Sequence, residues 1–536
     1  PRLSGRMGPW SAGRLIAPSC HRATRAVAGP RWPRPALLAG ATLCLRRDSL
    51  RGPQGPRAPP PGIGATRAPG YRAPVPSVLW FRRDLRLDDN PALLAAAGAG
   101  QDGVVGLFVL EDRLLASAGA PRIAYLLDSL TALNESLGGR LTVLRGDART
   151  TVPALARDVA ASSVHVAGDH SPFGRRRDAA VDESLGQIGV RLLRAGSPYA
   201  VAPGTVRTKS GSAYQVFTPF LRAWLAAGWP APVGSGDLTV PWVPPPAGSG
   251  ADRLPPAPDL GPMRLPRAGE ARAHQRWQTF RDDHLADYDR ARDRPDHPGT
   301  SRLSPALKLG EIHPRTLLAD LSGFPAGDRG RAGAETYRAE LAWREFHADV
   351  LAESPSAATR SLRVAAPSDA WVSGTLERER LEVWARGLTG YPMVDAGMRQ
   401  LLAEGWMHNR VRMIVASFLI KDLHVRWQRG AEHFMRVLVD GDVASNQLNW
   451  QWVAGTGRDA SPFFRVFNPV AQGLRFDPNG DYVRRYVPEL ADVPGRAAHE
   501  PWRLPGGLPA GYPERVVDHA VERAQALADH ARRPRG

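Results

Sequence analysis

Short apolar runs alternate with helical patterning in the first part of the chain. Residues 77–81 and 104–110 are nearly continuous apolar stretches, which is how strands buried on both faces read, and the shorter runs 141–144, 163–166 and 190–193 read as further strands. Between them, residues 123–137 and 152–161 carry apolar positions at helical spacing. Strand and helix in alternation predict a parallel sheet with right-handed crossovers, a doubly wound α/β unit over residues 76–202. No G-x-G-x-x-G turn follows the first strand, so ordinary dinucleotide binding is not indicated.

Residues 230–268 are dense in Pro, Gly and Ser, including Pro244, Pro245 and Pro246, and residues 203–270 read as an interdomain linker. Beyond it the strand signal stops. Helical spacing recurs at 334–351, 381–386, 394–402, 409–423 and 432–439, predicting an all-helical domain over 271–510 and a tail over 511–536.

Residues 1–75 have a different texture. They hold thirteen arginines against one acid, Asp48, and so carry most of the formal charge of +17. With no amphipathic period and many prolines they cannot build a core, and disorder is expected. Such a segment suits a transit peptide or a basic DNA arm, but upstream sequence translated from a misplaced start is favoured on composition. The rest of the chain is only mildly basic, which allows phosphate binding without demonstrating it.

Composition excludes several classes. Hydrophobic residues make up 43% of 536, too many for a disordered polymer. The apolar stretch 36–45 is about half a bilayer span, so no membrane segment is expected, and a cytoplasmic monomer is. The two cysteines, Cys20 and Cys44, both precede the α/β unit, leaving no thiolate set for zinc or an iron–sulfur cluster in the main body.

Candidate chemistry lies in the helical half. Glu340, Trp343, Arg344 and His347 fall at i, i+3, i+4 and i+7, placing an acid, an indole, a guanidinium and an imidazole on one helix face. A solvated amphipathic surface would look the same, but Trp343 favours base stacking. Asn409 and Met413 share a face of the next candidate helix, flanked by Arg410 and by Arg412, which sits in apolar sequence and needs a carboxylate. Taken singly, Arg410 reads as a surface residue and Met413 as a core filler. Asp442 is a candidate N-cap, after which Asn446 and Trp450 share a face. Thr300, Ser301, Arg302, Leu303 and Ser304 follow Pro298-Gly299 and suit a phosphate, or a routine cap. Fifteen tryptophans include Trp371, Trp384, Trp406, Trp427, Trp450 and Trp452 in this half; they are packing or a relay for single electrons.

Six ordered segments carry a resemblance: LWFRRDLRLDDN (79–90), TSRLS (300–304), WREF (343–346), TGYPMVD (389–395), GWMHNRVRM (405–413) and DGDVASNQLNWQW (440–452). Through them the chain resembles the DNA photolyase and cryptochrome family, most closely the class I photolyases that repair cyclobutane pyrimidine dimers. The likeness runs from about residue 78 to about 505.

The resemblance implies a carbon–carbon lyase driven by blue light, holding FAD and acting on UV-damaged DNA, single- or double-stranded. It implies that Tyr288, Thr300, Ser301, Arg302, Leu303 and Ser304 hold the FAD phosphates and ribitol, with Asp440, Gly441 and Asp442 along the bent cofactor. Arg412 and Asp440 would pair, and Asn446 would face flavin N5. Glu340, Trp343, Arg344, Asn409, Arg410, Met413, Trp452 and Gln472 would surround the flipped dimer or its phosphates. Trp450, Trp427 and Trp371 would form the photoreduction chain. A second, antenna chromophore, methenyltetrahydrofolate or 8-hydroxy-5-deazaflavin, is expected on the α/β unit, with 169–177 and 214–220 as candidate segments. The alternative is a cryptochrome-type blue-light flavoprotein photoreceptor. A (6-4) photolyase typically shows a double histidine where this chain has His408 and Asn409.

Overall fold

The computed structural model describes residues 75–100, 102–244, 254–324, 328–363, 367–459 and 465–532. The arginine-rich stretch 1–75 lies, apart from its last residue, outside them. Five strands, β1 (Ser77–Phe81), β2 (Val104–Leu110), β3 (Leu141–Arg145), β4 (Ser163–Val166) and β5 (Arg191–Arg194), form one sheet in the order β3-β2-β1-β4-β5. All four neighbouring pairs are parallel. β1 and β2 are buried along their whole length, as their unbroken apolar runs require. Helices Ala120–Ser136, Ala148–Asp158 and Pro172–Gly186 cover the faces, and two apolar cores flank the sheet.

From Glu270 onward the described elements are helical. The long Arg331–Glu353 helix, and Asn409–Lys421, Trp427–Val437 and Val443–Ala454, surround the candidate site. Residues 203–270 also contain the Phe217–Ala227 helix, whose Phe217, Phe220 and Trp224 bury against the Arg331–Glu353 helix. At the far end, the His519–Ala531 helix docks through His519, whose Nδ1 meets Asp422 and whose backbone N–H donates to the Tyr391 hydroxyl at 3.1 Å.

The segment after β1 joins the two halves. Leu85 N–H donates to Leu309 O at 3.1 Å and Arg86 Nη1 to Gly310 O at 3.0 Å. Asn90 caps the Pro91–Ala99 helix, accepting from Ala92 and Leu93 N–H. Gly310 has φ +73°, and a Cβ there would land on the Arg83 carbonyl, so both backbone freedom and close approach demand glycine. Most of LWFRRDLRLDDN is therefore a junction between layers.

Candidate active site

A cavity of about 480 Å³ opens between the Arg331–Glu353 helix, the start of Asn409–Lys421 and the face of Val443–Ala454. That volume lies in the usual range for ligand pockets. Asp442 fixes one wall. Its Oδ1 accepts from Ser445 N–H at 3.1 Å, capping the Val443–Ala454 helix as the sequence suggests, while Oδ2 meets Arg83 Nη2 at 2.9 Å and Lys308 Nζ at 3.2 Å. Burial disfavours its charge, but Lys308, Arg83 and Arg344 together hold the carboxyl far below the usual carboxylate range. Burial in turn pushes Lys308 down to about 8.

Beside it, Arg412 finds the carboxylate its apolar setting requires. Nη1 and Nη2 donate to Asp440 Oδ1 and Oδ2 at 3.2 and 2.7 Å, and Nε to Met407 O at 2.8 Å. Ser304 Oγ donates to Asp440 Oδ2 at 2.6 Å and accepts from Trp406 Nε1 at 3.2 Å. Ser301 pairs with the Tyr337 hydroxyl at 2.8 Å, and Tyr288, whose phenol burial pushes up, completes this end.

Asn446 stands on the Val443–Ala454 helix with Nδ2 donating to Ala431 O at 3.1 Å and Gln447 Oε1 at 2.7 Å. Trp450 lies one turn on, 3% exposed, 5.1 Å from Phe434 and 6.2 Å from Trp384 between ring centroids. Gly430 permits this approach, since a Cβ there would overlap the Trp450 ring. Trp427 is buried in the same core and donates to Ser361 Oγ at 3.1 Å; Trp371 sits at that core's margin.

Glu340 stands at the cavity mouth, beside Tyr288 and Tyr337, with its carboxylate 2.7 Å from Arg292 Nη1. Burial pushes the Glu340 carboxyl up, and Arg292 opposes that. Trp343 lines the cavity while stacked on Phe217, centroids 3.7 Å apart and planes 9° from parallel. Trp452 is held by a 3.2 Å bond from Nε1 to Asp459 O, and Asn409, Arg410 and Met413 come from the first turns of Asn409–Lys421. His347 also lines the cavity, and burial pushes its ring down to about 4, keeping it neutral.

Besides the relay indoles Trp427 and Trp371, four expected residues do not line this cavity. Thr300 and Leu303 stand behind it, Leu303 in the core; Gln472 lies on the separate Pro469–Phe476 helix. Arg302, in a left-handed conformation at φ +52°, turns its guanidinium over Trp406 at 4.2 Å and pairs with Glu404. Arg344 does line the cavity, but its two Nη atoms donate to Pro198 O and Leu307 O at 3.0 Å each. Sequence reasoning missed Arg292, Tyr337 and Lys308, which lie outside or beside the motifs. Only the spacing of Tyr337, three residues before Glu340 on the same helix face, could have found one of them.

The donor set matches a ligand with an anionic, polyhydroxyl part and a planar ring: serine hydroxyls, guanidinium and ammonium groups at one end, a neutral amide and indoles at the other. Residues 77–236 match the family model for DNA photolyase, and residues 337–532 the FAD binding domain of DNA photolyase. A deoxyribodipyrimidine photo-lyase of Streptomyces griseus is 45% identical, the alignment covering 84% of this chain and 98% of the relative. The chain belongs to the DNA photolyase family. A crystal structure of a class III photolyase from Agrobacterium tumefaciens aligns with TM-score 0.77 and 38% identity over 87% of this chain and 99% of that one. A cryptochrome of Synechocystis sp. PCC6803 aligns with TM-score 0.74 and 26% identity over 85% and 99%. The two-domain fold is thus common to photolyases and a cryptochrome, and FAD is the cofactor of the helical domain. Among the described residues no helix is long and apolar enough to cross a membrane.

Proposed function

We propose that this protein repairs cyclobutane pyrimidine dimers in UV-damaged DNA under blue light. The observation that carries the reading is that one cavity is lined both by the cofactor-type set, Ser301, Ser304, Arg412, Asp440, Asp442 and Asn446, and by the lesion-type set, Glu340, Trp343, Asn409, Met413 and Trp452. A pyrimidine pair cannot be reached inside the stack, so it is flipped into this cavity, which the unpairing at a lesion makes less costly; photolyases are themselves a named case of base flipping.

Reduced FAD, when bound, supplies the light-driven electron that opens the cyclobutane ring and recovers it afterwards. The chain does the rest. Trp343, braced by Phe217, and Trp452, braced by Asp459, are rigid walls for stacking. Glu340 holds a proton toward a pyrimidine carbonyl, where negative charge develops. Arg410 contributes salt-sensitive affinity for the backbone. Arg344 is occupied by protein carbonyls and serves here as a brace. Trp450, with Trp427 and Trp384 buried in the same core and Trp371 at its margin, offers a route for electrons toward the cofactor.

An antenna chromophore, folate or deazaflavin, fits a second cavity of about 500 Å³ at the carboxyl ends of the strands, lined by Glu111, Arg113, Asp147, Phe173 and Arg177. It includes part of 169–177 and none of 214–220; Phe217 and Phe220 instead pack in the helical core. The cryptochrome reading draws on the Synechocystis likeness and the buried indoles. One assay separates the two: dimer-bearing DNA with fully reduced protein, in light and in darkness. Light-dependent loss of dimers is expected, slowed in Glu340→Ala with FAD retained; no loss with reduced wild type moves the reading to a photoreceptor.

A further inference from the structure

Two consecutive residues after the short Tyr288–Ala291 helix each close on one residue at the cavity mouth. Arg292 pairs with Glu340 at 2.7 Å, and Asp293 accepts from Arg410 Nε and Nη2 at 3.2 and 2.7 Å. Both pairs stay partly open to solvent, with side chains 26% and 29% exposed in the first and 19% and 32% in the second. Arg410 is further fixed by Phe476, 4.5 Å beneath its guanidinium.

The groups facing Glu340 are Arg292 and Asp293 from this segment, Tyr288 from the short helix, Tyr337 from its own helix and Arg410 from the Asn409–Lys421 helix. Burial raises the Glu340 carboxyl, and the strongest opposing pull is that of Arg292, through both charge and hydrogen bond. Whatever removes Arg292 therefore favours the protonated acid. A pair this exposed is exchangeable, and a guanidinium binds a phosphate in the same two-pronged way as a carboxylate.

We propose that Arg292 is a positioning residue that keeps Glu340 ionised in the free protein, and that a backbone phosphate of the docking strand takes Arg292 away, so that dimer binding draws a proton from solvent onto Glu340. The proposal rests on the mouth being the lesion site, as above. The balance is simple: one carboxylate and one solvent proton give one carboxylic acid, and Arg292 exchanges a carboxylate for a phosphate. Asp293, by holding Arg410, stops that second guanidinium from replacing Arg292 beside Glu340. The acid O–H then donates to the pyrimidine carbonyl only when a lesion is in place.

Binding that takes up one proton weakens about tenfold per pH unit between the free and bound pKa of Glu340. The test is calorimetric titration of the FAD-loaded full chain in darkness, at one pH in two buffers of different ionisation enthalpy and then across pH. The probes are a dimer-bearing oligonucleotide and the same sequence undamaged. Expected are proton uptake on the dimer probe alone, its loss in Glu340→Gln, and a shallower pH dependence with weaker binding throughout in Arg292→Gln. Wild-type dimer binding without proton uptake overturns the proposal, and so does uptake that survives in Glu340→Gln. If the dimer probe binds no tighter than the undamaged one, the reading of the mouth as lesion site fails first and takes this proposal with it.

Discussion

Two charged regions of this molecule solve opposite problems. At the carboxyl ends of the strands, Arg177 reaches Glu111 at 3.2 Å, Asp169 at 3.1 Å and Asp178 at 3.0 Å, and Arg82 shares Asp178. Both guanidiniums lie over the Trp80 ring, 4.7 and 5.1 Å from its centroid. None of these side chains is more than 12% exposed. At the cavity mouth, by contrast, Arg292 and Arg410 each hold one carboxylate and keep a partly wet face. Shared partners and burial make a fixture; single partners and water make a contact that a ligand can replace. A charge count would not distinguish them.

The two regions differ most in what they contribute to stability. Arg177→Ala leaves Glu111 without its cation and takes one partner each from Asp169 and Asp178 in a largely buried site, and it is expected to cost about 3–5 kcal/mol, because a buried charge left unpaired is the expensive case. Arg292→Ala is expected to stay within about 1 kcal/mol. Urea unfolding of both variants measures this, and equal costs would mean that burial and shared partners do not set the two regions apart.

How much of this was readable beforehand depends on whether a residue's role is local. β1, β2 and β4 were legible to the residue, β1 and β2 because a buried parallel strand is a nearly unbroken apolar run, and β4, Ser-Val-His-Val, through its two valines at period two. The Trp427–Val437 helix starts five residues before the expected 432, because its first turn, Trp-Gln-Arg-Gly, mixes an indole, polar groups and a glycine and shows no stripe until tertiary packing supplies one. The Phe217–Ala227 helix was hidden by Pro219 and by the Pro/Gly-rich stretch that follows it. In the site, Asp440, Asp442, Asn446 and Trp450 came together because one helix and its cap carry them. Arg302 did not, because a left-handed residue redirects its side chain in a way no spacing rule contains. Arg292 was invisible because its partner is 48 positions away in a different helix.

Activity separates the cavity mouth from the cofactor end. Glu340→Ala removes the acid from the mouth without touching the Asp440 and Asp442 networks. Repair in light is expected to fall about a hundredfold, in line with loss of one donor to a developing charge. FAD content should hold, since Glu340 pairs with Arg292 while Asp440 and Asp442 are held by Arg412, Ser304, Arg83 and Lys308. Flavin absorbance per chain, read beside dimer loss, separates the two effects.

The two regions also respond to acid with opposite sign. Burial disfavours the Asp169 charge, yet Arg177, Arg82 and Arg83 hold its carboxyl down at about 2, from 3.8 ordinarily. A depressed folded pKa gives stability that is complete above the ordinary value and lost as pH falls through the folded one. Wild type should thus weaken between pH 3.8 and about 2, and Asp169→Asn should flatten that slope by about 2 kcal/mol. Glu340, whose carboxyl is raised by burial, has the reverse dependence, its stabilising share fading as pH rises through its folded value. Denaturant midpoints across pH for Asp169→Asn and Glu340→Gln should therefore tilt in opposite directions.

The smallest effect is the control for all of these. Arg386 and Glu382 pair at 3.5 Å across one helical turn, but their side chains are 64% and 69% exposed. A wet i,i+4 pair gains little Coulomb energy, loses rotamer freedom and is screened by salt, so Glu382→Gln should shift stability by about 0.3–0.5 kcal/mol at most, and by less in high salt. If that variant approached the Arg177→Ala cost, solvent access could not be what separates the strand-end cluster from the cavity mouth. The exchange proposed for Arg292 would then lose its energetic basis, because a pair as open as Arg292 and Glu340 would be too strong for a phosphate to part.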